Sequence, residues 1–450
     1  MNTVYAAAER LLQKEDYCYT PPTLEEQKRQ REECSAWGSD GIVFSIALPC
    51  YETPRQFLIE LLDSVRDQSY PGWELVLADA GDRTDDVKHA LEQWMEREEN
   101  RSAAEKIRYI KLDQNKGISE NTNAAIEAAS GDYICLMDHD DLLTPDALFY
   151  MAKAILSVKE KPYMVYSDED KTNTDTTRFY EPNIKDLFNY DLILSNNYVC
   201  HLMAVRADLM KELMVRAEYD GAQDFDLVLR IAEKAGIPVR DGQILHVPRV
   251  LYHWRCHPGS TASNTDSKLY AYEAGRRAVE DHLKRRNIDA KVEHSRHLGF
   301  YNTCYGGGIF MQRSDVGAVC GRILDPAKRM KRSIRGEGGA YLYVGLFHRF
   351  SGNLNRFAMA QQVMSLDIRA MRLREELQSV AESFFGMPYS ERGPQKIWDW
   401  KAYEQKYRRE HQGNTPNWSD LNDTFSNMIR EQGYRIVYRP ELETVTWSKD

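Results

Sequence analysis

The sequence predicts an α/β fold, a mostly parallel sheet flanked by helices, and three observations carry that expectation. Between residues 42 and 137, short apolar runs alternate with amphipathic stretches of helical period. The runs are of strand length, and parallel neighbours need helical crossovers of this kind. The loops that follow them carry acids, glycines or asparagines, at the sheet end where open α/β folds place ligands.

Residues 1 to 40 are polar, with Pro21-Pro22 breaking two helical pieces, and read as an N-terminal helical extension. Strands are then expected over Ile42 to Leu48, Glu74 to Ala78, Ile107 to Leu112 and Tyr133 to Met137. Helices are expected between them, over Pro54 to Gln68, Asp85 to Arg97 and Ser119 to Ala129. A further helix opens at Thr144-Pro145, where proline suits a first turn.

Beyond Tyr163 to Tyr166 the alternation loosens, and polar, aromatic loops are expected up to about residue 200. Regularity returns with a helix over Asp224 to Ala235, stopped by Gly236, a strand over Val247 to Trp254 and a charged helix over Lys268 to Arg286. Gly306-Gly307-Gly308 reads as a linker. The expected organisation is an extension over 1–40, a main domain over 41–304 and a C-terminal α/β or mixed domain over 305–450. The last part is rich in Arg and in Trp and Tyr, which suits a solvated face, an interdomain surface, or contact with a membrane or acceptor.

The chain has 450 residues, 42% of them hydrophobic and 28% charged, enough to bury a substantial core. Its net charge of -10 argues against nucleic-acid binding through bulk charge. Eight scattered cysteines without a Cys-x-x-Cys pair favour a reducing compartment over a disulfide framework. No signal-peptide core or membrane-length apolar run is visible. A cytoplasmic protein is expected, with peripheral contact at the inner face of the cell membrane left open.

Chemistry concentrates at Asp138-His139-Asp140-Asp141, immediately after the fourth strand. Three carboxylates so close repel one another unless a divalent cation neutralises them, and hard cations take oxygen ligands. A solvated acidic turn capping the next helix is the plain alternative. Three other strand ends join this one: Leu48 to Pro54, Val76 to Asp82, and Asn115-Lys116-Gly117-Ile118-Ser119-Glu120-Asn121.

These four elements, in this order, resemble family 2 glycosyltransferases of the GT-A fold over about residues 42 to 300. The resemblance implies a nucleotide-diphosphate sugar donor, a UDP- or dTDP-sugar, and a Mg²⁺ or Mn²⁺ ion. It places Pro49, Tyr51, Glu52, Asp79, Asn115, Gly117, Asn121 and Asp138 against the donor, with Asp79 on the base. The family often has a second acid after that position, where this chain has Ala80. It assigns the metal to Asp140 and Asp138, with His253 as a third ligand or a diphosphate contact. Read as residues alone, Asn115 and Ser119 suit a turn and helix cap.

The resemblance also implies a catalytic base at Asp224, in Gly221-Ala222-Gln223-Asp224-Phe225-Asp226. By residue type alone, Asp224 can cap the helix while Asp226 pairs with Arg230 at i+4. Trp254 would offer a ring face for a sugar, Arg255 would offset diphosphate charge, and Ser260 belongs to a loop closing over donor and acceptor. The segments Tyr166 to Lys171 and Asn196 to His201 read either as acceptor-cleft lining or as polar turns. In the C-terminal part, Leu421 to Phe425 and Gly433 to Tyr438 resemble a shortened second transferase half without its own acid cluster.

The expected function is inverting, metal-dependent transfer of a sugar, a hexosyl or deoxyhexosyl group, to a hydroxyl of a cell-surface glycan or lipid-linked acceptor. Two alternatives are a nucleotidyltransferase and a catalytically silent glycan-binding or scaffold protein. The first would want a Gly- and Lys/Arg-rich phosphate loop, which Leu48 to Thr53 lacks. The second sits poorly with Asp138, Asp140 and Asp224 together.

Overall fold

The computed structural model describes residues 17–38, 41–82, 86–257, 269–336, 338–389, 399–442 and 445–446. The chain divides into two compact units, Asp16–Phe188 with Asn197–His282, and Asn189–Asn196 with Leu283–Asp450.

The first unit is built on a nine-stranded sheet. Strands β1 (Phe44–Cys50), β2 (Trp73–Asp79), β3 (Ile107–Lys111) and β4 (Tyr133–Leu136) are parallel and lie in the order β3-β2-β1-β4. Their connecting helices are α1 (Arg55–Arg66), α2 (Asp86–Met95) and α3 (Ile118–Ala128). The path runs outward from β1 to β3 and then returns past β1 to β4. Right-handed crossovers in opposite directions put their helices on opposite faces of the sheet. The reversal between β1 and β4 opens a crevice at their C-terminal ends.

Local sequence explains these elements. β1 is almost wholly buried, as a strand covered on both faces must be. Helix α1 buries Leu58, Leu61, Leu62 and Val65 along one stripe, each worth roughly 1.5–3 kcal/mol when removed from water. Ahead of the sheet, a helix over Leu24–Trp37 starts in a full capping box, with Thr23 and Glu26 each accepting the other's backbone N–H. Trp37 then stacks on Phe149, 5.6 Å between ring centroids.

The strand expected over Val247 to Trp254 forms, within Ile244–Cys256, but the stretch before it differs from expectation. Instead of loops up to residue 200, the chain forms β6 (Met164–Asn173), β7 (Phe179–Asn183) and β8 (Met203–Arg206). β8 runs antiparallel between β4 and β6. β6 pairs in parallel with β9 (Ile244–Cys256), and the two-residue β5 (Leu142–Leu143) closes the edge against β9. Strand β6 contains Asp168, Glu169 and Asp170, all buried. It tolerates them because each acid has a partner: Asp168 takes His246 at 2.7 Å, Glu169 takes Lys185 at 3.1 Å, and Asp170 takes His253 at 2.5 Å. Asp170 also accepts from the Tyr17 hydroxyl at 2.6 Å.

The second unit has its own mixed sheet. Val316–Cys320 pairs in parallel with Arg435–Tyr438 and antiparallel with Met371–Leu373. Helices Glu375–Phe385, Trp400–Glu410 and Trp418–Glu431 accompany it, with Phe385, Tyr403 and Phe425 in the core. The Gly306 to Gly308 run lies inside this unit, between strand Tyr301–Tyr305 and helix Ile309–Gln312. Arg313 is buried between Asp191, at 3.1 Å, and Asp315, at 2.7 Å. All eight cysteines are free thiols. Among the described residues, no helix is long and apolar enough to cross a membrane.

Candidate active site

Strand ends assemble the site. After β1, Tyr51 is left exposed, and Glu52 takes a positive φ of 50°. Its Oε1 accepts the N–H of Asp82 at 3.2 Å, tying the loop after β1 to the loop after β2. Thr53 hydrogen-bonds His139, which ties the same loop to the acidic turn after β4. Pro49 lies within β1 in register with Ala78.

Asp79 closes β2 with its carboxylate buried. Oδ1 accepts the Gly81 N–H at 2.9 Å, and Oδ2 takes the Tyr109 hydroxyl at 2.8 Å and Lys111 at 3.3 Å. The next loop folds on Asn115, whose Oδ1 accepts from the Gly117 N–H at 3.0 Å and from Asn121 at 2.9 Å. Gly117 adopts φ +96°, and a Cβ there would stand 2.8 Å from Asp220 Oδ2. Asp220, not Asn115, holds the first turn of α3. It accepts from the Ser119 hydroxyl at 2.5 Å and from the Ser119 N–H at 3.4 Å.

The acidic turn separates its three carboxylates. Asp141 is fully buried and accepts the Tyr252 hydroxyl at 2.6 Å and the Arg255 N–H at 2.7 Å. Burial drives its carboxyl well above the ordinary range, and neighbouring Asp140 and Asp138 push it further. Asp140 faces His257 at 2.9 Å. Asp138, the more exposed, has His201 at 3.7 Å. Asp138, Asp141 and His201 offer ligand atoms within 4.8 Å of one another.

His253 is not brought to these carboxylates. Successive residues of β9 face opposite sides. Tyr252 points to Asp141, whereas His253 bonds Asp170 and packs against the rings of Tyr19 and Phe179 at 4.4 and 4.3 Å. The histidines beside the acidic turn are His257 and His201. Arg255 likewise differs from expectation. Its guanidinium is buried, paired with Glu60 at 2.6 Å and bonded to the carbonyls of Asp140, at 2.6 Å, and Thr174, at 2.7 Å. It braces the acidic turn from behind. Trp254 is half-buried, with His201 at 6.2 Å between ring centroids. Ser260 lies outside the described residues.

Asp224 sits in the first turn of the helix Gln223–Ala235, while the N-cap position is Ala222. Asp224 therefore does not cap the helix. Burial raises its carboxyl pKa, and Asp138 adds to the rise. His201, the Phe225 backbone and Asn197 pull the other way. Asp226 is structural: fully buried, it binds Arg216 and, at 2.8 Å, Arg230 four residues on. The segment 196–201 thus reaches the site through Asn197 and His201, whereas the segment 166–171 is a buried strand. Neither Asp220 nor the His201 ring stood out by spacing, because their partners lie far away in the chain.

Residues 45–214 match the family model described as Glycosyl transferase family 2. An uncharacterized protein, y4gI, of Sinorhizobium fredii is 39% identical over 247 residues, 55% of this chain and 26% of that protein. The O-antigen biosynthesis protein RfbC of Myxococcus xanthus is 30% identical over 56% of this chain and 19% of its own length. This chain therefore spans about a quarter or less of both curated relatives. A crystal structure of S. aureus TarS in complex with UDP-GlcNAc is 18% identical, with a TM-score of 0.41, and covers 54% of this chain and 66% of that one.

Proposed function

We propose, from the match of residues 45–214 to the glycosyl transferase family 2 model, that this protein is an inverting, metal-dependent glycosyltransferase. It moves a sugar from a nucleotide-diphosphate sugar to a hydroxyl of a cell-surface glycan or lipid-linked acceptor. The observation that carries the reading is that one short segment serves both acids: His201 stands 3.7 Å from Asp138, and Asn197 bonds Asp224 at 2.7 Å. A donor-side acid and a base-side acid then address one substrate.

In this mechanism Pro49, Tyr51, Glu52 and Asp79 hold the nucleotide, and Asn115, Gly117 and Asn121 shape the loop beside it. Asp224 takes the proton from the acceptor hydroxyl as that oxygen attacks the anomeric carbon. The bond from that carbon to the diphosphate breaks on the opposite face, so the configuration inverts. A carboxyl raised by burial is better matched to this task than an ordinary aspartate.

Asp138 and Asp140, with His257 beside Asp140, are the residues that would hold Mg²⁺ or Mn²⁺. The donor set fits such a cation, since burial and then the charges of Asp140 and Asp138 raise Asp141, and clustered carboxylate oxygens suit a hard divalent ion. When bound, it supplies positive charge against the departing diphosphate. A glycan acceptor is supported by the name of the Myxococcus relative.

The test is a panel of UDP-, dTDP- and GDP-sugars, each with Mg²⁺, Mn²⁺ or chelator, read as release of nucleoside diphosphate. Release from one donor, lost with chelator and lost in Asp224→Asn, is the expected result. A wild-type protein that neither binds nor turns over any member would overturn the proposal.

A further inference from the structure

We infer that His201 contacts the transferred sugar, with its Nε2 hydrogen-bonding a ring hydroxyl; the inference rests on the donor reading above. The ring is held in place while its nitrogens are left without hydrogen bonds. Buried Lys185 donates to the carbonyl of Val199, at 2.6 Å, and to that of His201. Glu169, ion-paired with Lys185 at 3.1 Å, accepts the His201 N–H at 2.9 Å. The imidazole stacks on Tyr252, 4.7 Å between centroids and 14° from parallel, with the edge of Trp254 beyond it.

Nδ1 of this ring is buried and has no hydrogen-bond partner, and Nε2 stands 3.7 Å from Asp138 Oδ2, too far for a direct bond. Nδ1 is sealed from ligands, so what the clamped, partly exposed ring can still offer a ligand is Nε2. A hydroxyl both donates and accepts, so one hydroxyl can accept a hydrogen bond from Nε2–H and donate one to Asp138. The ring stands beside Asp138, and Asn197, four residues before it, bonds the proposed base Asp224, so the segment borders the path of a sugar from donor to acceptor.

Three full-length variants test this. His201→Phe keeps the stack on Tyr252 and removes both nitrogens. His201→Gln returns a donor near the Nε2 position, and His201→Asn near Nδ1. Calorimetry with Mn²⁺ compares free UDP, dTDP and GDP with UDP-glucose, UDP-GlcNAc, dTDP-rhamnose and GDP-mannose. His201→Phe should bind the free nucleotide as wild type does but lose about tenfold on its sugar conjugate, the size of one hydrogen bond. His201→Gln should recover most of that loss and His201→Asn little. Equal loss on nucleotide and conjugate, or no loss on either, overturns the inference while leaving the donor reading intact. Wild type that binds no conjugate overturns both. Should His201→Phe not fold, the contrast between Gln and Asn decides alone: equal affinities for the conjugate refute an Nε2 contact.

Discussion

Nδ2 of Asn197 donates to Oδ2 of Asp224 at 2.7 Å. The bond orients the carboxylate and engages one of its two oxygens. It also links the loop before β8, which ends in His201, to the helix that carries the proposed base. Two segments distant in sequence thus set one reactive geometry.

Replacing that base without changing its shape isolates chemistry from folding. Asp224→Asn should lower transfer by about 10²–10⁴, with donor affinity and melting temperature almost unchanged. The base works only when deprotonated, and burial holds its pKa above the ordinary 3.8. The wild-type rate should therefore rise with pH through that higher value, and the residual rate of the variant should lack this acid limb. A normal rate in Asp224→Asn would refute the assignment.

The two histidine environments separate by experiment. Asp140→Ala and His257→Ala should both weaken Mn²⁺-dependent donor binding in calorimetry, with the aspartate variant the more severe. His253→Ala should leave metal dependence intact and instead destabilise the fold by about 1–3 kcal/mol, because buried Asp170 loses its imidazole partner. Chemical denaturation measures the second effect.

Asp226 should behave as a structural acid. Its carboxylate is fully buried between Arg216 and Arg230, and removing one member of such a cluster costs roughly 3–5 kcal/mol. Asp226→Ala is expected to show that loss in urea unfolding. Protein still folded at low temperature should retain donor affinity.

Gly117→Ala tests the loop beside the donor. The position needs φ +96°, and a methyl would approach Asp220 Oδ2 to 2.8 Å. The variant should lose on the order of 1–3 kcal/mol of stability from backbone strain. Because Asp220 also holds Ser119, donor KM should rise more than kcat falls.

Asp423 in the second unit should matter little. It pairs with Arg335 at 3.1 Å, and both side chains are partly exposed. Such pairs are worth about 0–1 kcal/mol, so Asp423→Ala should change neither melting temperature nor turnover appreciably.

The parallel half of the first sheet was legible in the sequence because its signals are local. Phe44–Cys50, Trp73–Asp79 and Tyr133–Leu136 are apolar where they are buried, Ser45 and Asp79 excepted, and the helices between them bury a stripe of the expected period. The acidic turn at Asp138 and the Asp226–Arg230 pair were legible for the same reason, since each is written within a few residues. Strand β6 was hidden, because its buried acids are hydrogen-bonded to His246 and His253, which lie 78 and 83 positions along the chain from Asp168 and Asp170. Only the pairing of β6 with β9 brings those partners together, and only strand alternation decides that Tyr252 faces the acidic turn while His253 faces away. Residue type and spacing determined that this chain has an α/β fold with acids gathered at its strand ends. Tertiary structure decided which histidine meets which acid, because a buried charge is settled by the partner that long-range packing places against it.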